Sequence, residues 1–317
     1  MQILDFHCHV YPHAIAEKAS DAVARFYQVH RGVEIPDQTA ALDDVLQAQA
    51  EAGIAKTVLC SAATVPHQVQ HINEFLARKA AASGGRCLSF GTLHPDSPDP
   101  KGDVEHLLEL GLKGVKLHPD MQGFALNDPK AMKLYELVGG RVPFLLHTGD
   151  PRFSFSNPEQ LIPALLAFPE TTFVGAHMGG HTFWKEATKV LAGRYENLYV
   201  DISSTFFGVT PEEAVDMVRA YGAERVLFGT DFPMWCPKDE VRKFLALPLT
   251  EEERRLIAWD NGAKLLHLGS VEISDPEKLT EDPQWDSLLH RDDSQLAEAK
   301  NTLRQLELAL DNLKKVN

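Results

Sequence analysis

Apolar runs recur along the chain at near-regular intervals, and most of them close on a histidine or an aspartate. Runs near 2–9, 55–61, 87–93, 113–118, 142–147, 171–177, 197–202 and 225–231 predict eight strands. Several are almost continuously apolar rather than alternating, as in strands buried on both faces. Helical patterns fill the gaps at 39–52, 67–82, 103–110, 129–139, 158–167, 183–192, 211–221 and 251–267. Asn157-Pro158 and Thr210-Pro211 each set a capping side chain before proline at the first helical position, and Glu212-Glu213 suits the positive end of its helix. His118, His147 and His177 lie 29 and 30 positions apart, and Asp231 follows after 54, with the run Leu198–Ile202 halfway. About 30 residues is the length of one strand–loop–helix unit of a parallel sheet. The alternation predicts an α/β protein, a (β/α)8 TIM barrel, with an open doubly wound sheet as the alternative.

Two regions fall outside that count. Residues 10–38 read as a long first connection, a candidate lid or substrate wall on the catalytic face. Residues 270–317 read as a C-terminal extension beyond a barrel domain of 1–269. Asp275-Pro276 and Asp282-Pro283 interrupt it before Leu296, Leu303, Leu306, Leu310 and Leu313 mark an amphipathic helix. That stripe predicts packing on the barrel exterior or on a second copy, so a homodimer is admitted.

Composition narrows the function classes. The 317 residues carry a formal net charge of −14, which argues against a nucleic-acid partner, because phosphate binding needs clustered Lys and Arg. No apolar stretch approaches the roughly 20 residues of a membrane span. The N-terminus opens directly on a strand without a signal pattern, and Cys8, Cys60, Cys87 and Cys236 show no disulfide framework. The expectation is a cytoplasmic protein acting on a small molecule.

The chemistry lies at the strand ends. His7 and His9 occupy positions i and i+2, so on a strand they share one face about 6–7 Å apart. In a parallel barrel every strand ends on the same face, which would bring His7, His9, His147, His177 and Asp231 together. Three histidines and an aspartate suit a catalytic divalent metal with a position left for water. Asp231 can bind the ion and also accept the proton of an attacking water.

These residues stand in Asp5-Phe6-His7-Cys8-His9, Gly114–Pro119, Leu146-His147-Thr148-Gly149, Ala176-His177-Met178-Gly179-Gly180 and Phe228-Gly229-Thr230-Asp231-Phe232-Pro233. In that combination the chain resembles the amidohydrolase superfamily, and within it the amidohydrolase-related group that contains the aminocarboxymuconate-semialdehyde decarboxylase type. The resemblance covers about 1–268. It implies His7, His9, His147 and Asp231 as ligands of one divalent metal, usually zinc, with manganese or a second ion admitted. It implies His177 as acid/base or as ligand of a second ion. Lys116 and His118 share a strand face, as bridging or substrate-contacting candidates, the former as a carboxylated lysine between two ions. Arg152, with Arg25 or Arg31, is a candidate clamp for a substrate carboxylate, and His94 a further polar wall candidate or a turn residue. Catalysis is assigned to Asp231 and His177. Hydrolysis of an amide, ester or lactone by metal-activated water is the first reading. Decarboxylation or another carbon–carbon cleavage is the alternative, and a non-catalytic small-molecule-binding barrel, opposed by the complete His/Asp set, the second alternative.

Overall fold

A computed structural model describes residues 1–31 and 38–268; the leucine stripe and the remainder of 269–317 lie outside the described residues. All eight apolar runs form strand. They are β1 (Leu4–His9), β2 (Lys56–Cys60), β3 (Cys87–Ser89), β4 (Gly91–Thr92), β5 (Val115–Leu117), β6 (Phe144–Leu146), β7 (Phe173–Gly175), β8 (Leu198–Asp201) and β9 (Val226–Leu227). Each pairs in parallel with its successor within β1–β3 and within β4–β9. β3 and β4 are two pieces of one strand split at Phe90, whose N–H donates to Leu59 O at 2.9 Å. The seam between the last strand and the first also carries hydrogen bonds. Phe6 N donates to Phe228 O (2.9 Å), Asp231 N to His7 O (2.8 Å) and His9 N to Phe232 O (2.8 Å). The strands therefore close as the parallel α/β barrel that the repeat predicts.

Period-2 alternation separates two apolar layers. Leu4, Phe6, Val58, Phe90, Leu145, Val174, Tyr199 and Leu227 form one cluster inside the ring. Val115, Leu117, Phe144, Leu146, Phe173, Val200 and Val226 belong to the larger cluster facing the helices. Two residues beyond an inward position is again inward, which carries Leu145 to His147, Tyr199 to Asp201 and Leu227 to Asp231. On β1 the parity of Leu4 and Phe6 differs from that of His7 and His9. A register shift between Asp5 and Cys8 lets both sets face the interior.

The helices follow the pattern with two corrections. Residues 10–38, read as a loop, contain the helix His13–Arg31, and a helix Pro237–Ala246 with proline in its first turn was not predicted. The capping box at Thr210 is present, with Thr210 and Glu213 exchanging hydrogen bonds. Among the described residues no helix is long and apolar enough to cross a membrane.

Candidate metal centre and active site

At the carboxyl ends of the strands a single cavity is lined by His7, His9, Lys116, His118, His147, His177 and Asp231. The convergence predicted for His7, His9, His147, His177 and Asp231 is thus present, and Lys116 and His118 join them. Several stand on strained backbone: His177, Met178 and Asp231 have φ of 60°, 55° and 56°, a region that costs non-glycine residues of order 1–3 kcal/mol each. Hydrogen bonds hold that strain. His177 N donates to Asp201 Oδ1 at 3.0 Å, and Asp5 accepts from His7 N, Thr230 N and Thr230 Oγ1, stitching the first strand to the last beneath the site.

The partners of each ring assign its inward nitrogen. His7 Nδ1 lies 3.0 Å from Asp201 Oδ2, so it donates there, and Nε2 carries the lone pair. That lone pair faces Lys116 Nζ at 2.9 Å and lies 3.4 Å from Asp231 Oδ1. His177 Nδ1 donates to the Ser203 carbonyl at 3.1 Å, which leaves Nε2 as a lone pair 3.1 Å from His147 Nδ1. His9 Nε2 is 3.2 Å from Asp231 Oδ1, and the thiol of Cys60 lies 3.8 Å behind its Nδ1. Asp231 Oδ2 accepts from Ser204 Oγ at 2.5 Å, which fixes the carboxylate so that Oδ1 meets both first-strand imidazoles.

Electrostatics agree with that arrangement except at His9. There burial opposes charge but Cys60 and Asp231 outweigh it and raise the ring to about 9, so a cation there must displace a proton. Burial holds His7, His147 and His177 below the usual imidazole range, His177 at about 4, so these rings are neutral donors at pH 7. Burial opposes charge on Asp231 and Asp201, but the surrounding imidazoles outweigh it and keep both carboxyls below the usual range. Burial pulls Lys116 down, favouring its neutral amine. Buried inward lone pairs beside an ionised carboxylate make a donor set that fits a divalent cation.

Other sequence candidates fall elsewhere. Arg152 is not among the described residues lining the cavity. Its guanidinium forks onto buried Asp150 (Nε–Oδ1 2.8 Å, Nη2–Oδ2 2.5 Å), donates to Phe26 O at 2.6 Å and stacks 4.0 Å over the Phe26 ring. It tethers the helix His13–Arg31, and the expected carboxylate clamp gives way to that role. Arg25 is exposed and paired with Asp21, and His94 is a turn residue whose Nδ1 accepts from Asp96 N. The side chain of Arg31 lies outside the described residues. The tethered helix roofs the cavity with one stripe at four-residue spacing, Ile15, Ala19, Val23 and Tyr27. Removing one partner of a buried ion pair costs about 3–5 kcal/mol. Arg152→Met is therefore expected to lower Tm by several degrees and speed amide exchange in 13–31, with Asp150→Asn in the same chain restoring part of the loss. Unchanged exchange in that helix would refute the tether.

Sequence reasoning passed over Asp201, Ser203 and Asp120. Asp201 had a usable signal, since it ends an apolar run in the same phase as His147 and Asp231. Ser203, in a turn, and Asp120, in the short helix after β5, had none.

The amidohydrolase family model matches residues 4–268. The chain belongs to the amidohydrolase family. A curated relative, γ-resorcylate decarboxylase from Polaromonas, is 26% identical over 251 residues, 62% of this chain and 75% of that protein. An uncharacterized TIM-barrel protein from Bordetella bronchiseptica superposes with a TM-score of 0.68 at 23% identity, over 84% of this chain and 99% of the other. A dihydroxybenzoic acid decarboxylase from Polaromonas, solved with manganese and 2-nitroresorcinol, superposes at 0.62 with 18% identity, over 84% and 97%. A 5-carboxyvanillate decarboxylase from Novosphingobium aromaticivorans, also holding manganese, gives 0.66 with 17% identity, over 84% and 96%. Amidohydrolase membership thus comes with named relatives that are decarboxylases.

Proposed function

We propose that this amidohydrolase is a metal-dependent decarboxylase of a small hydroxylated aromatic acid. The observation that carries the choice of carbon–carbon cleavage over hydrolysis is the match to γ-resorcylate decarboxylase along 251 residues. The cavity supports it, because an apolar helix stripe with Met121 and Met234 faces the polar cluster, as a flat ring with oxygens on one edge requires.

His7, His9, His147 and Asp231 would hold one divalent ion, and the imidazole–carboxylate set suits zinc or manganese. When bound, such an ion supplies electrostatic stabilisation of the charge that develops as carbon dioxide departs. The chain's own residues do the rest. The roof of Ile15, Ala19 and Val23 holds the ring and excludes water. Asp231 accepts the proton of a ring hydroxyl as substrate binds and returns it to the ring carbon as the carbon–carboxylate bond breaks. The electron pair of that bond forms the new C–H bond, carbon dioxide leaves, and the phenolate product regains a proton from solvent. His177, its Nδ1–H held by Ser203 O, keeps an unprotonated Nε2 toward the cluster and orients substrate rather than supplying a proton.

The test is a panel of hydroxybenzoates, 2,6-dihydroxybenzoate included, given to zinc- or manganese-loaded protein with carbon dioxide release as the readout, beside carboxylated lactones and amides. Chelator-sensitive carbon dioxide release is the expected result. Faster turnover of a lactone or amide with no carbon dioxide would restore hydrolysis as the better reading.

A further inference from the structure

We propose that Asp120 is the positioning carboxylate of His147, accepting a hydrogen bond from its Nε2–H so that Nδ1 presents a lone pair to the donor cluster. The proposal rests on reading the cluster as a metal centre. Asp120 lies in the short helix Pro119–Gln122 directly after β5, with its side chain fully buried. Ser156 Oγ donates to Asp120 Oδ2 at 2.5 Å, whereas Oδ1 has no hydrogen-bond partner. Facing it is a second unsatisfied atom, His147 Nε2, 3.7 Å from Asp120 Oδ2. Each buried polar atom left unpaired costs about 1–3 kcal/mol, and a shift under about 1 Å brings Nε2 within hydrogen-bond range of Oδ2.

The other nitrogen of His147 requires the same proton placement. Nδ1 faces His177 Nε2 at 3.1 Å, and that nitrogen is already a lone pair because Nδ1–H of His177 is spent on the Ser203 carbonyl. With Nδ1 as the ligand atom of His147, its proton sits on Nε2, against Asp120. On the first strand His7 has the same backing from Asp201 at 3.0 Å. Carboxylates behind ligand histidines fix tautomer and ring orientation and raise basicity.

His118, Asp120 and His147 also lie close enough to suggest a second metal site. The details oppose it. His118 Nε2 is bonded to the Tyr27 hydroxyl at 2.9 Å, and its Nδ1 accepts from Met121 N at 3.3 Å. The His118 and His147 rings are stacked 3.9 Å apart at 10°, so their in-plane lone pairs cannot converge on one ion.

The experiment titrates metal-free protein with zinc or manganese against a competing chelator. Losing the carboxylate behind a ligand histidine typically costs 10–100-fold in metal affinity, and Asp120→Asn is expected to lose that much while metal-free Tm holds or rises. Ser156→Ala, which only frees the carboxylate, should give a smaller drop in the same direction, and ring-nitrogen NMR of the zinc-loaded protein should show His147 protonated at Nε2. Wild-type affinity in Asp120→Asn would overturn the proposal, as would a second ion equivalent in wild type that Asp120→Asn removes. Absence of metal binding in wild type would instead overturn the metal-centre reading beneath it.

Discussion

Replacing His7 and His9 together with alanine is expected to leave a folded protein without bound metal and without turnover. Both imidazoles approach Asp231 Oδ1, at 3.4 and 3.2 Å, so the double change removes half of the four proposed ligands. His147 and Asp231 cannot complete a four-coordinate site alone, and affinity collapses rather than declining in proportion. The fold survives because the barrel seam is made by backbone groups at these positions, His9 N to Phe232 O and Asp231 N to His7 O. Emission spectroscopy on the purified variant checks the metal, and circular dichroism the fold. Full metal stoichiometry in the double variant would show that the donors lie elsewhere.

Asp231→Asn separates holding the ion from moving the proton. An amide oxygen at Oδ1 keeps a donor for the ion, and the amide NH2 that replaces Oδ2 donates to Ser204 Oγ, where the carboxylate accepted from it. The basicity that accepts and returns the proton is lost. Metal content is expected to persist in good part while kcat falls by about 10²-fold or more, within the range general acid–base groups contribute. Near-normal turnover in a metal-replete Asp231→Asn protein would place the proton transfer on another group, with Lys116 the next buried candidate.

Much of this site was legible before the fold was known, for a geometric reason. In a parallel barrel the last residue of every strand reaches the same face, so residues that close apolar runs meet whatever their separation in sequence. His7, His9, His147, His177 and Asp231 were found by that rule alone. The helix His13–Arg31 was missed because its inward stripe contains Ala19, a small residue that weakens the apolar periodicity, and its surface is crowded with polar residues. Arg152 shows the converse error. A lone arginine after a strand looks available for substrate, and nothing in the sequence says that Asp150 and Phe26 O already hold it. Asp120, in a four-residue helix, and Ser203, in a turn, lie where neither period 2 nor period 3.6 runs long enough to say what a side chain faces. Hydrolysis and decarboxylation share the same ligands, so the strand-end pattern could not separate them.

Carrying out turnover of an active hydroxybenzoate in deuterium oxide enriched in oxygen-18, with the product read by NMR and mass spectrometry, tests the central claim most directly. The account predicts carbon dioxide and a phenol bearing one deuterium on the carbon that lost its carboxylate. A product that keeps its carboxylate and carries a solvent oxygen at a cleaved carbonyl would contradict it.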